Sequence, residues 1–427
     1  MAIEELRSLR RRIWKGETGM GGLYYGIDLG ARTTIISYWQ NRMSDPVTMS
    51  TVVGSDDIEI PTALAKRPGL SQWFYGKEAR ERAGDGSAVE VPSLMENAIR
   101  DRKLTLDGRV YEARDLFAIF IRHLLELNGA AARPENIAKI TFTAQRFDKE
   151  EIDLLTDLMA RLSLSLDQLI VLDHREAFYY YALSQRTELY SNDVLLLEAS
   201  GDQIQSCRLH RYLQTRPQQV TLSDSFYEMH LENRDMEFAE VCRKLLSEGK
   251  CSTAYLVGDG FDGGWMKESL AVLTKECHVF VGKNLYSKGG SYAGRARDGE
   301  KAWPFSYLGD QEMKFNLLIK VSDRNKAHFL TLIEAGDSWF KASGQCEVIL
   351  DGSPEIELWI QRPESRQAKI DLLKLEDLPR RENRTSRLRI SAEAVSDREV
   401  RVTILDLGFG EIHPGSGKSW VHRVRVE

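Results

Sequence analysis

Residues 23–39 read LYYGIDLGARTTIISYW. Two apolar, β-prone runs flank a glycine; Asp28 closes the first run, and Thr33 and Thr34 open the second. The pattern predicts a strand, a turn at Gly30 and Ala31, and a second strand. Such a turn has two readings. One is a plain hairpin with glycine where the backbone needs it. The other is a concavity of backbone N–H groups that suits an anion, with Asp28 beside it to orient Mg²⁺ through water.

Strand and helix patterns alternate from this hairpin to about residue 297. Strands are predicted at AKITFTA, QLIVLD, DVLLLEA, QSCRLHR, TAYLVGD and HVFVG. Helices are predicted at ARDLFAIFIRHLLELNG, DKEEIDLLTDLMARLSL, REAFYYYALSQR, MEFAEVCRKLLSEG and GGWMKESLAVLTKE. The alternation implies an α/β domain with a mixed sheet. After about residue 310 the helical period is gone. KFNLLIKV, CEVILDG, EIELWIQR, AKIDLLKL, SRLRISAEAV, REVRVTILDLG and SWVHRVRVE alternate apolar and polar residues, the pattern of an antiparallel β-sandwich. The boundary is expected between 298 and 312. No internal repeat is evident. Residues 3–15 read as a basic helix, followed by a glycine-rich linker to residue 21. That helix is either a solvated extension or a dock for a partner or an anionic membrane.

The chain has 427 residues, 42% hydrophobic and 29% charged, with a net charge of -6. This describes a globular protein of two or three domains without the basic surface of a nucleic-acid binder. No apolar run approaches a bilayer span, and the N-terminus lacks the apolar core of a signal peptide, so the cytoplasm is the expected compartment. Five cysteines are scattered without a C-x-x-C pair, which points to neither zinc nor a disulfide framework. HPGSGKSW near the C-terminus lacks the first glycine of a P-loop and precedes a strand pattern, so it is set aside. YYY at 179–181 reads as core packing. Arg380, Arg381, Arg384, Arg387 and Arg389 read as a solvated face or as a dock for an acidic peptide.

Five segments follow one another in a telling order. GIDLGARTT, IPTALAKRPGLSQWFYGKEAR, the VLDHREAFYYYAL strand-to-helix step, VLLLEASGDQIQ and YLVGDGFDGG together resemble the actin-like ATPase superfamily, especially the seventy-kilodalton heat-shock chaperones. The resemblance covers roughly residues 22–297. It implies a ribonuclease-H-like, two-lobed ATPase domain binding ATP or ADP with Mg²⁺ in the cleft, followed by a β-sandwich over 310–427. The first phosphate segment would supply Gly30, Ala31, Thr33 and Thr34, with Asp28 as the metal-orienting carboxylate. Arg80 falls where the chaperones place a lysine near the γ-phosphate. His174, or Asp173, falls on the glutamate at the strand end. The second phosphate segment would supply Glu198, Ser200 and Gly201, and the adenosine segment Gly258 and Gly260.

The departures bear on chemistry. Arg80 is a planar fork in place of a point charge. Side chains at two lost glycines crowd the second phosphate segment, and Asp202 would repel a phosphate. Phosphoryl transfer depends on positioning and charge cancellation, so binding survives the comparison better than hydrolysis. The first expectation is an ATP-binding, chaperone-like protein whose nucleotide domain controls a β-domain that holds a protein partner, alone or in a larger assembly. The alternative is a pseudo-ATPase scaffold that kept the fold and lost the chemistry. A small-molecule kinase ranks last, because no acidic base for a sugar hydroxyl is evident.

Overall fold

The computed structural model describes residues 22–426, except 41–42, 53–54, 56, 130–132, 214–217, 299–302, 308, 310–311, 324–325 and 363–366. The basic helix expected at 3–15 lies outside the described residues. The chain divides into two compact units, Met1–Tyr307 and Leu308–Glu427. It is a mixed α/β protein with a β-rich C-terminal unit.

The first unit is built on two sheets. In the first, the opening hairpin forms as the alternation predicts: β1 (Leu23–Leu29) and β2 (Thr33–Trp39) pair antiparallel. Gly30 is required there, since a Cβ would stand 2.6 Å from the Thr33 carbonyl oxygen. β3 (Val47–Thr48) continues the meander. Helices α1 (Gly76–Gly84), α2 (Leu94–Ile99), α3 (Ala113–Glu126) and, beyond β4 (Ile137–Ala144), α4 (Lys149–Arg161) follow. A capping box sets the start of α4: Asp148 accepts from Glu151 N, and Glu151 accepts from Asp148 N. β5 (Leu169–Asp173) then runs parallel to β4, which is parallel to β1. The order is β5-β4-β1-β2-β3.

The second sheet repeats this plan. α5 (His174–Leu183) leads to β6 (Asp193–Ser200), β7 (Gln203–Tyr212) and β8 (Gln218–Glu228), an antiparallel meander. After α6 (Arg234–Ser247), β9 (Cys251–Val257) joins parallel to β6. After α7 (Glu268–Glu276), β10 (His278–Val281) joins parallel to β9. The order β10-β9-β6-β7-β8 has the same connections and directions as the first sheet. The unit is therefore a structural duplication. The sequence shows no repeat because a shared strand order constrains apolar pattern and turns, not residue identity.

The helix that follows each sheet crosses to the other. α5 packs into the core of the second sheet, with Phe178 and Tyr179 among Val194, Leu196 and Leu209. The last helix, α8 (Leu285–Asp298), lies on the first sheet. A Cβ at Gly26 of β1 would stand 1.8 Å from the Ser287 carbonyl oxygen, and one at Gly289 would stand 2.1 Å from that of Ala177. Three glycines weaken a free helix by roughly 1 kcal/mol each. Here Gly289 and Gly290 allow a close backbone approach that no larger residue permits.

The C-terminal unit is a sandwich. β11 (Asn316–Asp323), β12 (Lys326–Ile333), β14 (Glu355–Gln361) and β15 (Ala368–Lys374) form one antiparallel sheet, ordered β12-β11-β14-β15, once β13 (Ser343–Ile349) is assigned to the other. β13 pairs β16 (Arg387–Ser396), which pairs β17 (Glu399–Phe409), which pairs β18 (Ser419–Arg425). Leu317 and Leu358 of one sheet share a dry core with Leu388, Ile390 and Val402 of the other. The arginine cluster is internally engaged. Arg381 makes a bidentate pair with buried Asp406, and Arg384 pairs with Asp351. HPGSGKSW ends in β18, a strand.

Candidate functional site

The two hairpins carry carboxylates at matching places, Asp28 near the end of β1 and Glu198 near the end of β6. Each is held by the start of a crossing helix. Asp173 serves as the N-cap of α5, its carboxylate accepting from Glu176 N at 2.7 Å. That leaves His174, the first residue of α5, to reach Asp28: Nε2 lies 2.8 Å from Asp28 Oδ1, which also accepts from Thr143 Oγ1 at 3.0 Å. Across the cleft, Tyr286 of α8 donates its hydroxyl to Glu198 Oε2 at 2.9 Å. The His174 and Tyr286 rings stack, with centroids 3.7 Å apart and planes 5° from parallel. The result is a continuous chain from Asp28 through His174 and Tyr286 to Glu198 that links the first sheet to the second.

Burial pulls the His174 pKa down, but the charge of Asp28, its hydrogen bond and the more distant Glu198 and Asp173 outweigh this and raise it above 6.5. His174 Nδ1 is buried and makes no hydrogen bond among the described residues. Burial, then Glu198, push the Tyr286 hydroxyl well above its ordinary value. Beside the stack lies a cavity of about 60 Å³, lined by Gln145, Arg175 and Cys207 with His174, Glu198 and Tyr286. Arg175 Nε faces Asp224 Oδ2 at 3.3 Å.

The other expected residues sit apart from this chain. Ala31 and Thr33 are exposed at the first turn. Gly30 N–H is used within that turn, donating to Thr33 O at 3.0 Å. Thr34 is buried and bonded to Thr62 Oγ1 at 2.8 Å, so its hydroxyl serves the sheet. Arg80 of α1 is exposed and donates to the Arg32 carbonyl at 3.4 Å, which puts it beside the first turn. Ser200 and Gly201 form the exposed tip of the second hairpin, Gly201 at φ +61°. Gly258 and Gly260 press on that hairpin; their Cβ atoms would stand 2.6 Å from the Ala199 oxygen and 2.5 Å from the Ala199 Cβ. Among the described residues, no three His, Cys, Asp or Glu side chains are grouped to hold a metal ion.

Sequence reasoning missed Tyr286, Thr143 and Lys283. Lys283 lies 3.0 Å from Glu59, 2.6 Å from Asp259 and 3.1 Å from Asp262. The Asp259 hydrogen bond, opposed by burial and aided by Glu59 and Asp262, raises its pKa. Tyr286 lies in a glycine-rich segment with no strong helical signal, though its recurring small residues mark a close-packed face.

Fold and site define a mixed α/β unit in which two sheets of like strand order are tied together through a pair of carboxylates. The chain belongs to the family of unknown function DUF5716, C-terminal, whose model matches residues 45–310. Residues 312–426 match a domain of unknown function, DUF8552. The first match begins beyond β2, so Asp28 lies outside it while His174, Glu198 and Tyr286 lie within. No curated protein matches the chain. No helix among the described residues is long and apolar enough to cross a membrane.

Proposed function

We propose that the first unit has the two-lobed, actin-like architecture and that this protein is its non-catalytic form, a pseudo-ATPase scaffold that presents its β-rich unit to a protein partner. The matched strand orders and the helices crossing between sheets support the architecture. The observation that carries the scaffold reading is the chain Asp28–His174–Tyr286–Glu198. It occupies with side chains the space between the two hairpins, where this architecture would hold the phosphates. A pocket for a ligand of nucleotide size runs to roughly 300–1,000 Å³, against about 60 Å³ here. The first-turn glycine has committed its N–H, and Asp28 has committed Oδ1 twice. In this arrangement the residues do not fit ATP with Mg²⁺.

The second reading is the ATP-binding, chaperone-like protein. One observation favours it: the lobes meet at this chain through a stack and hydrogen bonds, so their separation would expose Asp28, Arg80 and the Ser200–Gly201 turn to one cleft. A ligand shifts such an equilibrium only by its differential affinity for the open state. Calorimetry with Mg·ATP, Mg·ADP and no nucleotide separates the two readings. Heat of binding together with a raised melting temperature would overturn the scaffold reading. Absence of both in wild type and in an Asp28→Asn variant supports it.

A further inference from the structure

The fold brings together two cysteines that the sequence scatters. Cys251 is the first residue of β9, and Cys277 is the extended residue just before β10, at φ -150° and ψ 167°. β9 and β10 pair parallel from Thr253 and His278 onward. Both cysteines lie at the start of this pairing, where the register of β9 against β6 skips Ser252. Both side chains border the core beneath the second sheet. Cys251 Sγ lies 3.1 Å from the Thr253 oxygen and Cys277 Sγ 3.4 Å from the Leu273 oxygen. The two thiols are close enough to perturb one another's ionisation.

We propose that Cys251 and Cys277 are an oxidation site, closing to a reversible intrachain disulfide when the protein meets a peroxide. The Cys277 thiolate attacks one peroxide oxygen; the O–O bond breaks and the hydroxide that leaves takes up the thiol proton as water. Cys251 sulfur then displaces the hydroxyl of the sulfenic acid on Cys277, and the Cys251 proton leaves with it as a second water. Both sulfurs are oxidised and both peroxide oxygens reduced. The roles follow from the surroundings. Cys277 is half-buried and therefore reachable, whereas Cys251 is buried. The interaction between the two thiols lowers the Cys277 pKa and raises that of Cys251. Burial pushes nearby Cys242 up to about 12, which leaves it inert.

The test is peroxide treatment of the full chain followed by tryptic mapping without reductant. Cleavage after Lys250, Lys267, Lys275 and Lys283 isolates the two cysteines on separate peptides. The expected result is a species joining residues 251–267 to 276–283, lighter than their sum by two hydrogens and split by dithiothreitol. Titratable thiols in the unfolded protein should fall from five by two. Cys251→Ser and Cys277→Ser should each abolish the link with little change in melting temperature of the reduced protein. Cys277 oxidised alone, a link to Cys242 or Cys346, or a cross-linked dimer would each overturn the proposal.

Discussion

Asp28→Asn isolates the charge at one end of the chain that links the two sheets. The exchange keeps the shape and the oxygen that meets His174 and Thr143. At the 2.8 Å separation of Nε2 and Oδ1, two unit charges attract by about 6 kcal/mol at an effective dielectric of about 20. Taking both groups out of water cancels much of this. A hydrogen bond to a charged group nets about 1.5–3 kcal/mol, so a loss of about 2 kcal/mol is expected. The sign of its pH dependence is defined. The folded-state pKa of His174 is raised above 6.5, so the pairing contributes fully below the pH where unfolded histidine titrates and fades as pH rises through the raised value. Urea unfolding followed by tryptophan fluorescence should show the variant about 2 kcal/mol less stable at pH 6, the gap shrinking by at least half in alkaline buffer. A gap that is absent at pH 6, or unchanged between the two conditions, would refute the argument that His174 is charged and paired.

Tyr286→Phe keeps the stack on His174 but deprives the Glu198 carboxylate of its donor; a loss of about 1.5–3 kcal/mol in denaturant unfolding is expected, and a neutral outcome would mean that water replaces the hydroxyl. Gly289→Ala puts a Cβ 2.1 Å from the Ala177 carbonyl oxygen, so α8 must shift; a loss of at least 1–3 kcal/mol is expected by the same measurement. Gly294→Ala meets its nearest neighbour only at 3.3 Å and should be far milder. Arg381→Ala leaves buried Asp406 without its bidentate partner; the C-terminal unit should lose about 3–5 kcal/mol, visible by calorimetry as a lowered transition, whereas Arg384→Ala, at an exposed pair, should cost under about 1 kcal/mol.

The alternation of apolar and polar residues was enough to place most strands of both units, because a strand with one buried face has a side-chain period of two that any chain must satisfy. The helix patterns of α3 and α4 were legible for the same local reason. Others were not, β8 and α8 among them. β8, QQVTLSDSFYE, is a strand with few buried residues, so its pattern is weak. α8 carries three glycines and reads locally as a poor helix; Gly26, Ala177 and Thr141, distant in sequence, supply the surface against which those glycines are the residues that fit. The candidate site divides along the same line. Asp28 and His174 were marked by their places at strand ends, and Glu198 by the resemblance of its segment, all of which is local information. That His174 would pair with Asp28, that Tyr286 would stack on it and hold Glu198, and that Cys251 would meet Cys277 depend on strand order and helix crossing. Those are contacts between residues up to a hundred or more positions apart, set by which faces the chain can bury together, and no local pattern encodes them.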